Sequence, residues 1–281
     1  MPTFETPEPI AVTLVAGSAE VRLAASARTD TVVRVEPGNS ANGTDVKLAE
    51  NVTTDFSAGQ LSVTAPGGSG ERSAIIVTIE LPVDSGLTAK LANAQVHAVG
   101  SLGAIDVRMD AGLVRLDSIG TLQARLSAGD LVVGHITGAA EIGGSAGSVR
   151  ISEADGNVRF RSSDGQIWIG DAADDLDLST VNGGIELGSA GGNVTAKTVD
   201  GAIRVGRLTH GRADLMNSEG NIEIGISEGT AAWVDASSTK GSVHSVLPAQ
   251  PNPDEFDSTV KVRARTQFGD IVVRRAADGS A

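Results

Sequence analysis

Cysteine and tyrosine are both absent from the 281 residues, and aromatic side chains make up only 2% of them. Without cysteine there is no disulfide framework and no thiolate metal site. Basic side chains are also short: 22 stand against 35 acidic ones, for a formal net charge of −13. That balance argues against a nucleic-acid partner or an anionic membrane surface. No apolar run is long enough to span a bilayer, so membrane insertion is not expected. The opening Met1-Pro2-Thr3-Phe4-Glu5 lacks the basic and apolar regions of a signal peptide. On that reading the chain is expected in the cytoplasm. With few aromatics, a core has to come from Val, Ile, Leu and Ala.

Glycine is abundant, at 35 residues, and its placement is periodic. From Gly103 a turn residue recurs at Gly112, Gly120, Gly129, Gly138, Gly147, Gly156, Gly165, Asp174, Gly183, Gly192, Gly201, Gly211, Gly220 and Gly229. The beat is nine residues, with one-residue slips at Gly120 and Gly211. After each turn apolar and other residues alternate, the period of a short strand with one buried face. Alternate units differ, so the full repeat is about eighteen residues with two strands. One series includes Val149-Arg150-Ile151, Ile167-Trp168-Ile169 and Ile185-Glu186-Leu187; the other includes Val158-Arg159-Phe160 and Leu176-Asp177-Leu178.

One such unit cannot bury its apolar face, whereas stacked units can. The pattern therefore predicts an all-β chain, a β-solenoid of eighteen-residue coils with two short strands per coil. Inward ladders are Val149, Ile167, Ile185, Ile203, Ile222 and Ile151, Ile169, Leu187, Val205, Ile224. Burial of each such side chain contributes about 1.5–3 kcal/mol. Residues 1–90 lack the beat and read as antiparallel β structure capping one end, with turns at Pro37-Gly38 and Pro66-Gly67. Residues 91–245 carry the solenoid. Residues 246–281 hold a proline-rich loop, Pro248 to Glu255, and two closing strands that read as the second cap.

Ser127-Ala128-Gly129-Asp130-Leu131-Val132-Val133, Ser162-Ser163-Asp164-Gly165-Gln166-Ile167-Trp168-Ile169 and Phe268-Gly269-Asp270-Ile271-Val272-Val273 carry a likeness. Together with the lead-in Ile76-Val77-Thr78-Ile79-Glu80-Leu81-Pro82-Val83, they resemble the DUF4097 β-strand-repeat family, whose alternative name is "putative adhesin". The likeness covers roughly residues 75–275, and the first seven residues are similar to actinobacterial members. It implies the repeat architecture and, through the name, adhesion; it supplies no catalytic motif.

Candidate chemistry is sparse. A calcium-binding nonapeptide roll needs Gly-Gly-x-Gly-x-Asp. Gly183-Gly184 and Gly191-Gly192 are not followed by aspartate at that spacing, despite acidic residues at Asp171, Asp174, Asp175 and Asp177. The four histidines, His97, His135, His210 and His244, share no ladder. No catalytic residue, metal or cofactor is assigned. The outward ladder Arg150, Trp168, Glu186, Arg204 is the candidate interaction surface, since Trp168 is a large aromatic on a face otherwise charged. Arg150 is expected to stack on its indole. Glu141, Asp177 and Asp214 form a candidate acidic face in the second outward ladder. Carboxylates on adjacent coils would lie about 4.8 Å apart, the setting of a polysaccharide-acting enzyme. Trp233 reads as inward, plugging the core where the beat stops. A non-enzymatic scaffold that binds a protein partner or itself fits best; an adhesin or sugar binder and a polysaccharide-acting enzyme are the alternatives.

Overall fold

The computed structural model describes residues 2–66, 75–247 and 258–276. The Pro66-Gly67 turn is described only through Pro66, and the proline-rich stretch 248–255 lies outside the described residues. Two compact units divide the chain, Met1–Gly147 and Ser148–Ala281.

In the first unit the strands are β1 (Thr3–Glu5), β2 (Ala11–Ser26), β3 (Asp30–Pro37), β4 (Thr53–Ser57), β5 (Gln60–Thr64), β6 (Ile75–Pro82), β7 (Gly86–Ile136) and β8 (Ala140–Ala146). The 51-residue β7 is not one straight strand. A Cβ on Gly112 would stand 1.8 Å from the Ala94 carbonyl oxygen, and one on Gly129 2.3 Å from that of Gly112. Residues 17 or 18 apart are thus stacked, and β7 is a run of coils lying on one another. β8 continues the stack at an offset of eighteen, with Leu122 beside Ala140 and Ala128 beside Ala146.

The alternating pattern of residues 1–90 predicts antiparallel sheet, and β3 with β6, β4 with β5, and β1 with β3 obey it. β2 does not. It is parallel to β5 and β6 on one side and to β7 on the other. Alternation reports that one face is buried; it carries no information about strand direction. A helix, α1 (Gly43–Glu50), also lies where only strands are expected. Asn42 caps it by accepting a hydrogen bond from the Thr44 N–H at 3.0 Å, satisfying a donor that the first turn leaves free.

The second unit holds β9 (Val149–Ala154), β10 (Val158–Asp164), β11 (Ile167–Ala172), β12 (Leu176–Ser179), β13 (Ile185–Ala190), β14 (Val194–Lys197), β15 (Ile203–Leu208) and β16 (Gly211–Met216). It closes with β17 (Ile222–Ile226), β18 (Thr230–Ser238), β19 (Val243–Ser245), β20 (Ser258–Thr266) and β21 (Ile271–Arg275). Odd-numbered strands from β9 to β17 stack in parallel, bringing Val149, Ile167, Ile185, Ile203 and Ile222 into one buried row. The even-numbered strands from β10 to β16 form the second stack, with Val158, Leu176, Val194 and Ala213 in register. The solenoid is therefore wound as its repeat dictates.

At the corners the chain passes too close to the coil below for a side chain. Gly183 has φ +136°, and a Cβ there would lie 1.9 Å from the Gly165 carbonyl oxygen. Only glycine takes that conformation without strain. Three residues before each corner glycine, Thr180, Thr198, Asn217 and Thr266 are buried, and their side chains hydrogen-bond to corner carbonyls.

Beyond β17 spatial order departs from chain order. β20 pairs with β16 on one side and with β18 on the other; β21 likewise pairs with β17 and with β19. The coil made by residues 258–275 thus lies between the coil 211–226 and the coil 230–245. The closing strands that read as an outer cap are an inner layer, and residues 230–245 lie outside them.

Candidate functional site

The outward ladder forms as its alternation requires. Arg150, Trp168, Glu186, Arg204 and Glu223 stand side by side on consecutive parallel strands of the second unit. Their inward neighbours are buried, so these five face out. The Arg150 guanidinium carbon lies 4.5 Å from the Trp168 ring centroid, a cation–π distance. The indole is half-buried. A Cβ on Gly170 would come within 3.1 Å of its Cη2 atom, so the bare glycine leaves room for the ring beside the sheet. Arg204 and Glu223 form an ion pair at 3.4 Å.

This ladder crosses a shallow groove of about 520 Å³. Gly183, Gly184, Gly201, Ala202, Gln166 and Ser148 also line it. The groove thus offers an aromatic ring, charges of both signs and exposed backbone within a few coils.

Each acidic residue is placed within its own unit. Glu141 lies in β8 of the first unit, and Asp177 and Asp214 lie in β12 and β16 of the second. Thr195 separates the latter two in register. Asp177 is bracketed by Arg159 at 3.4 Å and Arg161 at 2.9 Å, and Asp214 is held by Arg212 at 2.9 Å. These ion pairs lower the negative charge of that face. Corner carboxylates are engaged too. Asp175 accepts from the Asn193 backbone N–H and amide at 2.8 and 3.0 Å, and Asp164 from the Asn182 amide at 2.6 Å.

Trp233 is a correction. Counting from Ala231 makes it inward, but it is outward beside Lys261 and 63% exposed. Ala232, Val234 and Ala236 are the inward residues, over Val260, Val262 and Ala264. The phase was unreadable because the glycine beat that sets it ends at Gly229.

A second groove, of about 780 Å³, went unnoticed in the sequence. It lies in the first unit along Lys90, Arg108 and Arg125, spaced 18 and 17 residues apart and hence on successive coils. That spacing was the available signal. Asp106 lies 3.5 Å from Arg108 and offsets part of its charge.

A match to the Toastrack DUF4097 family spans residues 10–274. The chain belongs to this family. No curated protein matches it. Among solved structures, this Toastrack chain is similar to a "putative adhesin" from Bacteroides fragilis, at 11% identity and TM-score 0.32, over 97% of this chain and 95% of the other. A second, from Parabacteroides merdae, gives 13% and 0.33 over 97% and 94%. A "putative cell adhesion protein" from Clostridium sporogenes gives 10% and 0.22 over 98% of each. Likeness at this level carries no argument about what the chain binds. Among the described residues, no helix is long and apolar enough to cross a membrane.

Proposed function

We propose that this Toastrack protein is a non-enzymatic scaffold that binds a protein partner through the outward ladder around Trp168. The observation that carries the reading is the half-buried indole fixed by Arg150 at 4.5 Å within a groove. Tryptophan and arginine dominate binding hot spots because they bury much area and lose little freedom when already held in place. Glu186 and Arg204, on the two coils that follow, add charges of opposite sign that set a partner's register.

The test is affinity capture from cells with the wild type and Trp168→Ala in parallel, followed by calorimetry on the purified pair. The expected result is one protein bound by the wild type and lost in the variant, with equal melting temperatures. Equal binding by both overturns the reading. Binding of glycans that disappears with Trp168→Ala supports the adhesin alternative instead.

A further inference from the structure

β18 is the outermost described strand of its stack: it pairs with β20 along all nine residues, Thr230 to Ser238. Its inward residues Ala232, Val234 and Ala236 are only half-buried, whereas Val260, Val262 and Ala264 one layer down are buried. Nearby Val243 and Val246 are 44% and 70% exposed. Among the described residues no strand covers the other edge of β18. A long edge with an apolar side is a template for another strand.

The occupant follows from the sequence of the edge. Laid antiparallel on a copy of itself about Val234, β18 matches position by position. Val234 meets Val234, Ala232 meets Ala236, and Thr230 meets Ser238, so every inward residue faces a small or apolar one. On the outer side Trp233 meets Asp235, whose carboxylate is paired with Arg265 of its own copy, and Lys261 lies directly behind Trp233, adding a second cation beside it. Shifting the centre to Asp235 would oppose two like charges, which is unfavourable. The outermost strands of the first unit fit less well, since β4 has five residues and β1 three. We infer that two copies of this protein associate through β18, antiparallel and centred on Val234, as a closed two-fold dimer. A two-fold contact of this kind uses the same patch on both copies and stops at two. The inference is independent of the Trp168 groove.

The absence of cysteine gives a direct test. Paired residues in an antiparallel ladder have Cα atoms about 4.5 or 5.5 Å apart, inside the window of about 4.4–6.8 Å for a disulfide. Oxidised Val234→Cys is expected to run as a covalent dimer. Ala232→Cys alone is not, because its copies would be four residues out of register, roughly 13 Å apart. A mixture of Ala232→Cys with Ala236→Cys is expected to cross-link. In light scattering the unmodified protein is expected at twice its 28.4 kDa, dissociating on dilution. Trp233→Glu, which faces Asp235 of the second copy, is expected to weaken the dimer by at least about tenfold through like-charge repulsion. Trp168→Ala is expected to leave the dimer intact, so loss of the partner and loss of the dimer are read separately. A wild type that stays monomeric at every concentration overturns the inference, as does mass that grows without limit. Cross-linking of Ala232→Cys alone as readily as Val234→Cys overturns the register.

Discussion

Ile185 and Glu186 are neighbours in the chain with opposite surroundings. Ile185 is 1% exposed between Ile167 and Ile203, while Glu186 faces out. Ile185→Asp buries an unpaired charge and is expected to cost at least about 4 kcal/mol, enough to unfold the chain. Glu186→Thr is expected to shift stability by less than about 0.5 kcal/mol. Denaturant titration of both separates them, and equal tolerance would mean that the inward phase is wrong. Asn217 offers a change in the other direction. It interrupts the buried row of Thr180, Thr198 and Thr266, and its Oδ1 is buried with no hydrogen-bond partner among the described residues. Its amide donates to the Gly201 carbonyl at 2.8 Å, much as the Thr198 hydroxyl donates to Gly183 at 3.1 Å. Asn217→Thr keeps that bond and removes the orphan acceptor, so it is expected to stabilise by about 1 kcal/mol. A melting temperature that falls would refute this. The inward and outward phase of Ile185, Trp168 and Arg150 was legible because alternation is anchored at a glycine on each coil. Asn217's missing partner was not, since it depends on an oxygen's surroundings.

Between strands, the stacking offset was legible down to its irregularities. The short spacing before Gly120 appears as a 17-residue step from Gly103, and the long one before Gly211 as a 19-residue step from Val194 to Ala213. Insertion of β20 and β21 beneath β18 and β19 was not legible, because any strand of suitable alternation fits either level. Two carboxylates tie these layers together. Asp235 bonds to Arg265 at 2.5 Å, and the guanidinium holds its carboxyl below the usual range. Asp270 accepts from the Ser242 backbone N–H and hydroxyl at 2.8 and 2.7 Å, which lower its carboxyl likewise. A carboxyl depressed in the folded state stabilises above its unfolded value, near about 3.9, and that contribution is lost as pH falls through the folded value. Acid is therefore expected to loosen residues 230–245 first. In a Trp168→Phe background, the fluorescence anisotropy of Trp233 should drop below about pH 4 before far-UV circular dichroism changes. Simultaneous loss of both signals would show that the layer is not held separately.

For the molecule as a whole, the repeat made the architecture readable and left the binding role to a few outward residues. Trp168 stood out by its chemistry, whereas the place of β18 as the outermost described strand of its stack is visible only once the layers are placed. The acidic corners look like cation sites in composition, yet Asp164 and Asp175 accept hydrogen bonds from asparagines of the next coil. Excess EDTA is expected to leave the melting temperature unchanged, since these corner carboxylates are already engaged by asparagines. A fall of many degrees, reversed by calcium, would refute that. The interleaved layers also bear on synthesis. A ribosome delivers residues 230–245 before 258–275, so the outer layer emerges while the level beneath it is still empty. β2 is delivered early in the same predicament, awaiting β5, β6 and β7. Growth coil by coil behind the ribosome can therefore proceed only through the middle of the chain. At the level of residues 211–275 the nascent protein must hold a vacancy open, or reopen one, until β20 and β21 arrive to fill it.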